Sequence, residues 1–138
     1  MASVIVRFQA KEANIEKAIE QLELYLETLD VSPEHQFQIQ TCCREALNNI
    51  VEHGTQGQQE SPLMFSLSLW LEKHPNRRRA RVQITDNGAA YEPPTASPKP
   101  DELSLSGRGW SILQQWSDEL SLTRKQGLNY LTITKRLD

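Results

Sequence analysis

Leu63-Met64-Phe65-Ser66-Leu67-Ser68-Leu69-Trp70-Leu71 alternates with a period of two, and Ala80-Arg81-Val82-Gln83-Ile84 repeats the pattern before the chain breaks at Asp86-Asn87-Gly88. Phe65, Leu67, Leu69 and Leu71 point one way with Ala80, Val82 and Ile84, while Met64, Ser66, Ser68 and Trp70 point the other. That is the signature of a sheet with one covered face and one more exposed face. Pro75-Asn76 supplies the turn between the two strands. The second strand therefore delivers a carboxylate, Asp86, to its C-terminal end.

Upstream, Ser3 to Gln9 alternates in the same manner, with Val4, Val6 and Phe8 on one side. Ile15, Ala18, Ile19, Leu22, Tyr25, Leu26 and Leu29 then recur at three- and four-residue steps, which predicts an amphipathic helix. Ser32-Pro33 is a helix-start signal: the hydroxyl can accept from an orphan N–H, and proline's fixed φ suits the first helical position. Gly54 supplies the matching stop. Ile39, Cys42, Cys43, Ala46, Leu47 and Ile50 form the buried face of this second helix and leave Glu45, Asn49 and His53 along its edge, with Glu52 facing solvent.

Downstream, Glu92 to Ser106 holds four prolines and no periodicity, and a loop of that length reads as a lid, about residues 93–106. A short helix follows from Gly109 to Trp116. A last hairpin joins Leu120-Ser121-Leu122 to the strand Leu128–Lys135 through Gln126-Gly127. The order is β-α-α-β-β-lid-α-β-β. Helices come early and strands cluster late, which predicts an α+β two-layer sandwich with a mixed, mostly antiparallel sheet and its helices on one face.

A chain of 138 residues fits one domain, 1–138, with a single core. A formal net charge of −3 argues against direct nucleic-acid binding, which normally shows a basic excess. The basic cluster Arg77-Arg78-Arg79 with Arg81 reads as a solvated turn. No apolar run is long enough to span a membrane and no signal pattern opens the chain, so the expected location is cytoplasmic. Cys42 and Cys43 are adjacent in a helical pattern without ligand-spaced partners, so buried reduced thiols are expected.

Glu45 and Asn49 are one helical turn apart, so a carboxylate that can take a proton neighbours an amide oxygen that can ligate a hard cation. The same spacing occurs on ordinary exposed helices, and His53 at the helix end also suits the dipole there. Asp86 at a strand end could accept from the exocyclic amine of adenine, with Gly88 letting the base approach, although Asp-Asn-Gly is also a common turn. Gly107-Arg108-Gly109 opening a helix would offer backbone N–H groups to phosphates. No P-loop or dinucleotide fingerprint is present.

In order and spacing, Glu45-x-x-x-Asn49 with His53-Gly54, then Asp86-x-Gly88, then Gly107-x-Gly109, the chain resembles the GHKL ATPases of the Bergerat fold. Within them it resembles the bacterial anti-sigma-factor serine/threonine kinases, through Arg44-Glu45-Ala46-Leu47-Asn48-Asn49-Ile50-Val51-Glu52-His53-Gly54 and through Gly107-Arg108-Gly109-Trp110-Ser111-Ile112-Leu113 with Asp118-Glu119. The resemblance implies ATP and Mg²⁺ as cofactors, Asn49 as the metal ligand, Glu45 as catalytic base, and Asp86 as reader of adenine. Gly107, Arg108 and Gly109 would close on the phosphates beneath the lid. Two positions depart from the pattern: Ala90 replaces the second glycine of D-x-G-x-G, and Asn129, with Thr132 nearby, stands where relatives place a threonine beside the aspartate.

The implied function is a Mg²⁺/ATP-dependent serine/threonine protein kinase that phosphorylates a STAS-domain anti-anti-sigma protein and otherwise sequesters a sigma factor or other regulatory target. A nucleotide-gated binding module with little kinase activity, and a detached sensor-kinase catalytic domain, are the alternatives. Relatives often form homodimers, for which the outward-facing Trp70 is a candidate contact.

Overall fold

A computed structural model describes residues 4–54, 61–91 and 105–137. The expected lid therefore lies outside the described residues up to position 104. Among the described residues five strands, β1 (Val4–Gln9), β2 (Met64–His74), β3 (Arg77–Asp86), β4 (Glu119–Lys125) and β5 (Leu128–Arg136), form one sheet in the order β1-β2-β3-β5-β4. Every one of these pairings is antiparallel. Helices α1 (Glu12–Glu27), α2 (Pro33–His53) and α3 (Leu105–Trp116) complete the expected order.

The alternation read in the sequence sets the layers. Phe65, Leu67, Leu69, Ala80, Val82, Ile84, Leu131 and Ile133 are buried on one side of the sheet, while Ser66, Ser68, Trp70, Gln83 and Thr85 on the other are only partly covered. The inner face meets Ile15, Ala18, Ile19, Leu22 and Leu26 of α1, and Ile39, Cys42, Cys43, Ala46, Leu47 and Ile50 of α2. Leu22, Leu47, Leu67 and Leu69 are fully enclosed, each contributing about 1.5–3 kcal/mol by leaving water. Both cysteines are free and buried, and burial pushes the Cys42 thiol up to about 11.

Local chemistry sets where α2 begins and ends. Ser32 is extended and its Oγ accepts from the His35 N–H at 3.2 Å, with Pro33 in the first turn. Gly54, in contrast, is not a left-handed stop: its φ of −64° is helical. Glycine is required there for space, because a Cβ would lie 2.6 Å from the Ile50 carbonyl oxygen and 2.7 Å from Leu63 Cδ2.

Two other expectations shift. α3 starts at Leu105 rather than Gly109, so Gly107 and Gly109 sit in its first turns. A glycine inside a helix costs only about 1 kcal/mol, which burial of Trp110 and Leu113 outweighs. The arginine cluster belongs to β3 rather than to a solvated turn. Arg79 Nη2 donates to Glu72 Oε1 at 2.9 Å across the strand pair, Arg81 Nη1 lies 3.5 Å from Glu72 Oε2, and Arg78 donates to the Asp30 carbonyl.

Substituting Gly54→Ala forces its methyl group into backbone that cannot yield. It should lower the unfolding free energy in urea by about 1–3 kcal/mol, the usual range for overpacking. A midpoint unchanged from the native protein would refute this account of the helix end.

Candidate functional site

Asp86 ends β3 on its helix-facing side, in step with Val82 and Ile84, and is 3% exposed. Its Oδ1 accepts from the Gly88 N–H at 2.9 Å and from Asn129 Nδ2 at 3.0 Å. Oδ2 is buried and has no hydrogen-bond partner among the described residues. Burial pushes the carboxyl above its ordinary value, and the bonds from Asn129 and Gly88 together with the charge of Arg124 offset part of that rise. A buried acceptor without a donor is costly in a folded protein, and this one keeps the capacity to accept one more hydrogen bond.

Sheet register assembles what surrounds this carboxylate. Phe8, Phe65, Asp86, Asn129 and Arg124 are successive cross-strand partners and form one row over β1, β2, β3, β5 and β4. Asn129 is 1% exposed and sets its nitrogen against Asp86 and the Ala89 carbonyl, the latter at 3.0 Å. Arg124 Nη1 donates to Asn129 Oδ1 at 2.9 Å and to the Gly88 carbonyl at 3.1 Å. Sequence reasoning missed Arg124, yet a signal existed. The two-residue turn Gln126-Gly127, with φ of 54° and 78°, pairs Lys125 with Leu128 and therefore Arg124 with Asn129.

The end of α2 is tied to the same loop. The Ala89 N–H donates to the Gly54 carbonyl at 3.2 Å, and a Cβ on Gly88 would lie 2.8 Å from that oxygen and 2.9 Å from Gly54 Cα. Gly88 is thus a glycine because Gly54 occupies the space a side chain would need. Ala90 is exposed, so the added methyl group meets no obstacle. Asn87 fastens the other side, accepting from the Met64 N–H at 2.7 Å and donating to the Pro62 carbonyl at 3.0 Å.

From that anchor, His53, Asn49 and Glu45 occupy successive turns of α2, each about 6 Å further from Gly54 along the axis. Asn49 is buried rather than at an edge, 8% exposed, and its Nδ2 has no hydrogen-bond partner among the described residues. Glu45 is partly covered; burial and the neighbouring Glu52 push its carboxyl up, and Arg44 lowers it. His53 Nε2 lies 3.5 Å from Glu52 Oε2, so both sit at the exposed end of the row.

α3 brings its first turns to this place. The rings of Phe37, early in α2, and Trp116, at the end of α3, are 5.8 Å apart, whereas Trp110, early in α3, packs 6.0 Å from Tyr91 just beyond Asp86. The two helices therefore run in opposite senses, and the α3 N-terminus, with Gly107 and Gly109, faces the strand end carrying Asp86. The free N–H groups of such a terminus suit anions. The Arg108 side chain lies outside the described residues. Tyr91 and Trp110 are further site residues that spacing alone did not mark.

The place thus combines an unpaired acceptor oxygen, a helix N-terminus, a buried amide and a carboxylate whose pKa is raised. Among the described residues no three His, Cys, Asp or Glu side chains cluster to hold a metal. A Mg²⁺ ion that keeps waters and relies on a bound phosphate needs no such cluster; the Asn49 amide oxygen is the atom that would hold it, while the unpaired Nδ2 can only donate, to a phosphate or water oxygen.

Comparison with known proteins gives a consistent likeness. The histidine kinase-like ATPase domain family matches residues 8–135. The serine/threonine-protein kinase BtrW of Bordetella bronchiseptica is 36% identical over 104 residues, covering 71% of this chain and 68% of that protein. Among solved structures, the RsbU and RsbW domains of Rv1364c from Mycobacterium tuberculosis superpose with a TM-score of 0.71 at 17% identity, covering 99% of this chain and 32% of that one. The blue-light activated histidine kinase EL346 of Erythrobacter litoralis gives 0.55 at 20% identity, over 96% of this chain and 42% of that one. The SiaB-SiaC complex from Pseudomonas aeruginosa gives 0.56 at 13% identity, over 96% and 89%. The chain spans about a third of the first structure and under half of the second, and at these identities the likeness is one of fold.

Asp86 is harder to ionise in the folded chain than in the unfolded one, so stability falls as pH rises from 3.8 through the raised value and the deficit persists above it. Asp86→Asn should therefore raise the unfolding free energy at pH 7 by about 1 kcal/mol, because a neutral amide costs less than an incompletely paired buried charge. The gain should vanish below pH 3.8, where both states are protonated. Urea titrations at the two pH values measure both effects.

Proposed function

This chain belongs to the histidine kinase-like ATPase domain family, and from that premise we propose that it is a Mg²⁺/ATP-dependent serine/threonine protein kinase acting as an anti-sigma factor in a partner-switching system. Its substrate would be a STAS-domain anti-anti-sigma protein, and its second partner a sigma factor or other regulatory target. The observation that carries the reading is the open Asp86 Oδ2, buried at the strand end toward which the α3 N-terminus points. The name of the BtrW relative supports protein serine/threonine phosphorylation. Shared fold with a protein solved in complex with a second one, and with a domain solved beside RsbU, supports a role in protein partnership. No described helix is long and apolar enough to cross a membrane.

In this reading the adenine amine donates to Asp86 Oδ2, which orients the nucleotide so that its phosphates run along α2 toward Asn49 and Glu45. The orphan N–H groups of the first α3 turn, with Gly107 the last of them, hold phosphate oxygens; because the helix begins at Leu105, the N–H groups of Arg108 and Gly109 are bonded inside it. Asn49 would hold a Mg²⁺ ion, whose contribution is neutralisation of phosphate charge. Glu45 accepts the proton of a serine or threonine hydroxyl as its oxygen bonds to the γ-phosphorus and the bond to ADP breaks. Phosphoryl transfer asks mainly for such positioning and charge stabilisation, with a modest further contribution from the base. Burial raises the Glu45 pKa, so transfer falls as pH drops through a value above 4.5.

Glu45→Gln keeps the size of the side chain and leaves Asp86 and Asn49 intact. ATP affinity should stay within a few-fold while transfer to a co-purified partner falls roughly 10²–10⁴-fold, the usual contribution of a positioned base. Asn49→Ala should instead lose Mg²⁺-dependent binding and transfer together. Isothermal titration and labelled-phosphate transfer separate the two. A native protein that binds its partner in a nucleotide-dependent way without phosphorylating it would replace the kinase by a nucleotide-gated binding module.

A further inference from the structure

An ionised aspartate offers two oxygens and about four lone pairs, yet among the described residues only Oδ2 of Asp86 is left without a partner. Gly88 N–H and Asn129 Nδ2 fill Oδ1 at 2.9 and 3.0 Å. Asn129 can serve in this way only with its nitrogen toward Asp86, because the reversed amide would set oxygen against carboxylate. Two contacts select the orientation. Arg124, which can only donate, lies 2.9 Å from Asn129 Oδ1, and the Ala89 carbonyl, which can only accept, lies 3.0 Å from Nδ2.

We propose that Arg124 is a positioning residue for the nucleobase: by holding the Asn129 amide with its nitrogen on Asp86 Oδ1, it leaves a single free acceptor oxygen that selects adenine over guanine. The inference rests on the nucleotide reading above and adds the origin of its base selectivity. Adenine presents one exocyclic amine, N6, and one acceptor oxygen satisfies it. Guanine presents O6 at the corresponding position, which would oppose Oδ2, and its adjacent N1–H and N2–H donors match a carboxylate with both oxygens open. Closing Oδ1 removes that two-point clamp. Each buried group left unpaired by the wrong base then counts against it.

Arg124 touches neither the open oxygen nor the α2 residues assigned to the phosphates. It lies at the exposed end of the row, on the edge strand β4, so its replacement leaves the core unchanged. Its second bond, to the Gly88 carbonyl at 3.1 Å, steadies the loop that carries the other Oδ1 donor.

Titration calorimetry with MgADP and MgGDP tests the proposal. The native protein should prefer ADP, and Arg124→Met should cut the ADP-over-GDP preference by roughly tenfold or more, the scale of one hydrogen bond to a charged group. Arg124→Lys, which keeps a cationic donor, should recover most of the preference. Asn129→Ala should lose it as well, and adding Arg124→Met to that variant should change the ratio no further, since residues acting through one another are not additive. Melting without nucleotide checks that each variant folds, and Asn129→Ala carries the test if Arg124→Met does not. An unchanged ratio in Arg124→Met beside an ADP-selective native protein overturns the role of Arg124 and leaves the nucleotide reading standing. A further loss in the double variant overturns the route through Asn129. A native protein that binds neither nucleotide overturns both readings.

Discussion

Two glycines in contact, Gly54 at the end of α2 and Gly88 just past β3, hold the helix layer against the strand end that bears Asp86. Neither position has room for a methyl group, and the Ala89 N–H bonds to the Gly54 carbonyl across the same contact. Everything the site needs from α2 is then placed by helix geometry alone, one turn at a time from that anchor. A side chain at either position would push the helix from the sheet. Asn49 and Glu45 would then lose their placement relative to Asp86 although both lie elsewhere in the chain.

The same junction explains why a costly group is kept. Asp86 is enclosed by Tyr91, Asn129 and the Gly88 turn, and its desolvation is only partly offset by neighbours that all act on Oδ1 or through charge. A fold selected for stability alone would place a neutral or apolar side chain here. Tyr91 feels the cost from the other side: burial and the nearby Asp86 push its phenol well up, so it stays a neutral ring packed on Trp110. Stability given up at one strand end is returned only when something supplies the missing donor.

Periodicity made most of the architecture legible. Period-two alternation placed β1, β2 and β3 with the correct faces inward, and three- and four-residue spacing did the same for the helices, because burial of one face is what those patterns encode. The miss at α3 came where propensity and packing oppose each other: two glycines were read as the turn that opens the helix, and Trp110 and Leu113 carried the helix back through them to Leu105. Gly54 was read as a stop for a conformational reason and proved to be one for a steric reason. The arginines after Asn76 were read as solvated because charge runs usually are, whereas Glu72 directly across the hairpin draws two of them onto the strand.

What the sequence by itself determined was the inventory and its order: a helix with Glu45 and Asn49 one turn apart, an apolar strand ending in Asp86, and glycines opening a later helix. Local periodicity and turn chemistry act within a few residues, so they can be read without knowing the fold. Which groups meet was decided by tertiary structure. Antiparallel register set Asn129 beside Asp86 and Arg124 beside Asn129, the Gly54–Gly88 contact set the helix over the strand, and enclosure left one carboxylate oxygen without a partner among the described residues. Those relations depend on pairings between distant segments and on exclusion of water, and both arise only when the layers close.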